Sequence, residues 1–78
     1  MKTLKAKFGA AIKTRRLNIG LSQEEFAHRS GLHRTYISDI ERGVRNPSLV
    51  SIKRICDALD TRVSEIFSAM EKDHSSIG

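Results

Sequence analysis

The chain has 78 residues, a net charge of +5 and a pI near 9.9, which leaves room for one small domain without a second core and favours a polyanionic partner. Its strictly apolar runs reach only two or three residues, so no membrane span or membrane partner is expected, and the start Met-Lys-Thr-Leu-Lys-Ala-Lys lacks the apolar stretch of a signal peptide, which points to the cytoplasm. A lone Cys56 excludes an intrachain disulfide.

No segment alternates with period two, and the pattern predicts five helices joined by short connections, an all-α compact bundle. The first helix is expected over about 4 to 18, with Leu4, Phe8, Ala11, Ile12 and Ile19 on one side and Gly20 as its stop. Arg15 falls within that apolar sector and must snorkel or find an acid; Leu17 lies opposite and reads as an exposed leucine. The second helix is predicted over about 23 to 30 and the third over about 34 to 42. After the loop 43 to 47, Ser48 caps a fourth helix carrying Leu49, Ile52, Ile55, Cys56 and Leu59. A fifth opens at Thr61 or Arg62 and carries Val63, Ile66, Phe67 and Met70. Residues 1–72 therefore form one domain, and the tail 73–78 has too little apolar content to be ordered unaided.

Residues 22 to 43 carry most of the functional information. Ser22 with Glu25 forms a capping box. Gly31 stands where the second helix must stop, in a left-handed conformation that glycine adopts without strain. Ala27 is small enough for another helix to cross closely. Ile37 and Ile40, three apart, can face the core while Arg34, Thr35, Ser38 and Arg42 stay free. This is the plan of a helix-turn-helix, in which the second helix braces the third in a DNA major groove. Basic residues spread along the chain suit phosphate contacts from several loops and helix ends.

Other chemistries find little support. Cys56 lies in an apolar stripe with Ile52, Ile55 and Leu59 and reads as a small buried hydrophobe. His28, His33 and His74 have no partner at metal-ligand spacing, so surface or capping roles are expected and no metal or cofactor. Paired carboxylates on one helix face, a nucleophile beside a base and a glycine-rich phosphate loop are all missing, which argues against an enzyme.

The stretches Gly20-Leu21-Ser22-Gln23-Glu24-Glu25-Phe26-Ala27, Gly31-Leu32-His33-Arg34-Thr35-Tyr36-Ile37-Ser38 and Glu41-Arg42-Gly43 resemble the phage-repressor/Cro-type helix-turn-helix family over about residues 8 to 70. Within it, Leu-His-Arg-Thr-Tyr-Ile-Ser followed by Glu-Arg-Gly-Val-Arg-Asn-Pro-Ser-Leu is most similar to the controller proteins of restriction-modification systems. The resemblance implies a lambda-repressor-like fold and a homodimeric transcription regulator on a palindromic double-stranded operator, controlling its own operon and an endonuclease gene, with RNA polymerase as a further partner. It implies base contacts by Arg34, Thr35, Tyr36 and Ser38, and backbone contacts by Gln23, His33, Arg42, Arg45 and Asn46. Arg16 and Glu41 match a buried ion pair. Arg15, Leu17 and Ile19 depart from the family pattern in the first helix.

Arg34 can bond both acceptors on the guanine edge or clamp a phosphate. Tyr36 can meet the backbone, pack on a thymine methyl, or lie half-buried against Ile40. Asp39, acidic beside the groove, orients an arginine or excludes wrong registers. The fourth and fifth helices hold ten apolar side chains besides alanine in about 22 residues, more than the first three helices cover, so a dimer joined mainly through the fifth helix, at Phe67, Met70 and Val63, and the end of the fourth is expected, with Ile66 turned inward. A phage-type repressor, an antitoxin whose main partner is another protein, and a protein- or membrane-binding helical module are the competing readings.

Overall fold

The computed structural model describes residues 2–75, with side chains through residue 72. The His74 side chain and residues 76–78 of the expected tail lie outside the described part. Each helix begins at a local hydrogen-bonding device. In α1 (Leu4–Asn18) the Thr3 hydroxyl accepts from the Ala6 amide at 3.1 Å. In α2 (Gln23–Ser30) the Ser22 hydroxyl accepts from the Glu25 amide at 3.0 Å while the Glu25 carboxylate accepts from the Ser22 amide at 2.9 Å, so two orphan donors are satisfied reciprocally. α2 stops at Gly31, whose φ of 72° is left-handed. α3 (Arg34–Glu41) follows after two residues, with Arg42 as its C-cap, one residue short of the predicted end. α4 (Leu49–Ala58) starts at Ser48, whose hydroxyl accepts from the Ser51 amide. α5 (Val63–Ser75) starts where the Arg62 amide donates to the Glu65 carboxylate at 3.0 Å, and it runs into the segment read as tail.

α1 packs on α3 and α5, α2 on α3 and α4, and α4 on α5. Phe26, Ile12, Ile37, Ile40, Ile55, Leu59 and Cys56 are fully buried where these helices meet, each of the larger ones contributing about 1.5–3 kcal/mol. Burial raises the Cys56 thiol above its ordinary pKa, as a small apolar core residue would have it. Gly9, in the middle of α1, lets the main chain lie directly against the last turn of α3.

Several expectations are corrected. Leu4 is 68% exposed and Leu49 83%: helical periodicity fixes a face, not whether a neighbour stands opposite it. Arg15 is half-buried and lies near enough to Glu65 to help lower its carboxyl pKa, but its hydrogen bonds go to main-chain acceptors. Its Nε donates to the Leu59 carbonyl at 2.9 Å and its Nη2 to the Asp60 carbonyl at 2.8 Å, so it caps the C-terminus of α4. Leu17 is exposed. No described helix is long and apolar enough to cross a membrane, and no cluster of metal-ligating side chains occurs among the described residues.

Candidate nucleic-acid interface

α3 is two-sided. Ile37 and Ile40 point into the core, Arg34 and Thr35 are exposed, and Ser38 and Tyr36 are half-buried. Arg34 takes part in none of the ion pairs among the described residues, so its planar fork is available to a partner. His33 occupies the N-cap without a side-chain capping bond and stays exposed beside it.

The end of α3 is locked to α1 and α2 through Glu41. Arg16 Nε donates to Glu41 Oε2 at 2.6 Å and Nη2 to Oε1 at 3.0 Å, a bidentate pair. The third guanidinium nitrogen, Nη1, donates to the Leu21 carbonyl at 2.8 Å. The two side chains are 8% and 3% exposed, so the charges are desolvated but fully partnered. Hydrogen bonding to Glu41 raises the Arg16 guanidinium above its ordinary pKa against the opposing effect of burial. Gln23, expected on the DNA backbone, sits at the first position of α2 with Nε2 donating to Glu41 Oε1 at 3.1 Å. Its side chain thus ties the bracing helix to the same carboxylate, a link invisible in sequence because the two residues are 18 apart.

Beyond α3, Asp39 pairs with Arg42 and, at 3.3 Å, with Arg45. The Arg45 guanidinium carbon lies 4.8 Å from the centroid of the Tyr36 ring, within cation–π range. Arg42, Arg45 and Asn46 are exposed on this side. A shallow groove next to it is lined by Leu32, His33, Thr35, Tyr36, Arg45 and Ser51. Ser51 carries no local signal in the sequence, since its place in this groove depends on where α4 starts relative to α3.

The residues read as a dimer interface are not equivalent. Met70 is 5% exposed and belongs to the protomer's own core beside Ile66, because α5 packs along α1 with that stripe inward. Phe67 is half-buried, its ring 5.9 Å from that of Phe8, and Val63 is half-buried at the start of α5.

The helix-turn-helix family matches residues 12–66, most of the chain. The control protein C.MunI of Mycoplasma is 45% identical over 74 residues, covering 94% of this chain and all of that protein. The chain belongs to the helix-turn-helix family of restriction-modification controller proteins. The fold of this controller agrees with solved members. The controller C.AhdI of Aeromonas hydrophila superposes with a TM-score of 0.78 at 45% identity, over 80% of this chain and 94% of that one. C.Esp1396I, solved as a tetramer on its natural 35 base-pair operator, gives 0.84 at 38% identity over 92% and 95%.

Proposed function

We propose that this controller is a sequence-specific, double-stranded-DNA-binding transcription regulator acting as a cytoplasmic homodimer on a two-fold-symmetric operator, with autoregulation of a restriction-modification operon as its role. The observation that carries the reading is the third helix: Ile37 and Ile40 anchor it, Glu41 fastens its end to α1 and α2, and Arg34 and Thr35 project freely. A rigid support for a polar helix face is what major-groove readout requires. Arg34 supplies the bidentate reader, Thr35, Tyr36 and Ser38 surround it, and Gln23, His33, Arg42, Arg45 and Asn46 approach the backbone. The operator complex of C.Esp1396I supports the ligand class. RNA polymerase joins the partners if the bound dimer lies beside a promoter.

The experiment is selection of duplexes from a randomised pool, followed by a salt titration on the winner and a scrambled duplex. A palindromic consensus should emerge, bound tightly at salt concentrations that abolish binding to the scrambled duplex. Equal binding to both at every salt concentration would refute sequence-specific regulation.

A further inference from the structure

We propose that Arg54, on α4, is a further DNA-backbone anchor, a phosphate-binding guanidinium assisted by the Ser51 hydroxyl one turn before it. The inference rests on the reading of α3 as the DNA-reading helix and adds a contact from a helix outside the helix-turn-helix. Ser51 and Arg54 are three apart and share a face of α4. Ser51 lines the groove that His33, Thr35 and Tyr36 also line, which brings α4 to the side of the molecule that α3 presents. Gly31 belongs to the same lining, and the Arg54 Nη1 is 3.9 Å from where a Cβ on Gly31 would sit. The Arg54 guanidinium therefore stands at the Gly31 end of the groove. Ile55 and Cys56, which follow it in the chain, are fully buried, so the helix carrying Arg54 is firmly seated.

Both groups have donors that the protein leaves unused. Arg54 is exposed and forms no ion pair among the described residues, whereas its neighbour Lys53 pairs with Asp57 at 2.9 Å. It does not cap α2 either: the Gly31 and Leu32 amides close that helix on the Ala27 carbonyl, and Arg54 donates no hydrogen bond to it. At the start of α4 the Ser51 amide donates to the Ser48 Oγ at 3.1 Å, and the Ser48 hydroxyl donates to the Ser51 Oγ at 3.1 Å. The Ser51 hydroxyl proton is thereby left for an outside acceptor. A phosphodiester carries one negative charge and only accepts hydrogen bonds, so it can take a guanidinium and a hydroxyl together. Such a contact fixes the register of α3 on the duplex without reading a base.

The test compares the parent chain with Arg54→Gln and Arg54→Lys on the selected and scrambled duplexes across salt concentrations. Arg54→Gln should weaken both about 3- to 10-fold, with a log–log salt slope shallower by about 1 for each protomer bound and an unchanged base preference. Arg54→Lys should keep the parent slope. Ser51→Ala, which leaves the Ser48 cap on its amide in place, should weaken both duplexes about 2- to 10-fold without moving the slope. Neutral methylphosphonates walked along the selected duplex locate the contact: the parent should lose affinity at one phosphate per half-site to which Arg54→Gln is indifferent. A parent-like slope in Arg54→Gln, or a methylphosphonate profile that it shares with the parent at every position, would overturn the proposal. A lowered denaturant midpoint with slope and profile unchanged would make Arg54 a support of α2 instead. A parent chain with no sequence preference overturns the regulator reading, and the scrambled-duplex slope then still decides whether Arg54 meets phosphate.

Discussion

The carbonyl oxygen of Ile40 lies 2.2 Å from where a Cβ on Gly9 would sit, and that of Glu41 lies 2.9 Å away. Both neighbours are main chain and cannot rotate aside. Alanine in a helix interior ordinarily gains about 1 kcal/mol over glycine; here it would push α1 off α3. Gly9→Ala is therefore expected to destabilise by about 1–3 kcal/mol, read as a lowered denaturant midpoint. Unchanged or raised stability would show that the two helices separate easily.

Arg16 and Glu41 should be strongly coupled. Either single truncation leaves a buried charge alone and is expected to cost roughly 3–5 kcal/mol. In the double mutant much of that loss should be recovered, giving a coupling energy well outside the ~0.5 kcal/mol of independent sites. Additive losses in the cycle would deny the pair its structural role.

Arg34→Ala should weaken the selected duplex by about 1–3 kcal/mol and relax preference at one base pair per half-site. Gln23→Ala, by contrast, should weaken selected and scrambled duplexes alike. If Arg34→Ala weakened both equally, Arg34 would be a phosphate clamp, and a changed base preference in Gln23→Ala would remove it from the anchoring set.

The end of α4, expected at the dimer interface, is buried at Ile55, Cys56 and Leu59 while its start is exposed, so dimerisation through α5 and the start of α4 predicts different outcomes for neighbouring residues. A groove lined by Leu4, Phe8, Pro47, Ile52, Phe67 and Met70, with Lys5 and Asn46, is mostly apolar, and Leu49 stands one turn before Ile52 with most of its surface exposed. Phe67→Asp and Leu49→Asp should give monomers by sedimentation with much weakened operator binding, since each contact counts twice across a two-fold axis. Met70→Asp should unfold the protomer instead, by burying a charge. A parent chain that is monomeric at tens of micromolar would place the interface elsewhere or remove it.

Acid should loosen two helix starts. The Glu25 carboxyl is held below its ordinary pKa by hydrogen bonds from the Ser22 main chain and then its side chain, and that of Glu65 first by the Arg62 amide. A carboxyl lowered on folding contributes stability that is fully present above the ordinary glutamate value of about 4.3 and is lost as pH falls below it through the folded-state value. Glu25→Gln should flatten the stability profile below about pH 4.3 and leave its slope near neutrality unchanged; an identical acid profile would discount the capping box as a contributor.

Most helix limits and the two faces of α3 follow from sequence alone, because caps and stops act within four residues and periodicity needs no neighbour; the ends of α3 and α5, where no such device stands, differ from the expectation. Ser22 with Glu25, Gly31 and Ser48 each place a helix end by a bond to a nearby amide or by a left-handed turn. The exposure of Arg34 and Thr35 follows from Ile37 and Ile40 turning inward. Arg16 and Glu41, 25 residues apart, could be paired only through resemblance to a family. The tertiary structure decided what local rules cannot reach. It put Met70 into the core and left Leu4 and Leu49 outside, since a stripe is buried only where another helix crosses it. It set Gly9 against Ile40, Arg15 on the carbonyls of Leu59 and Asp60, and Gln23 on Glu41, contacts between segments whose separation only the path of the folded chain closes.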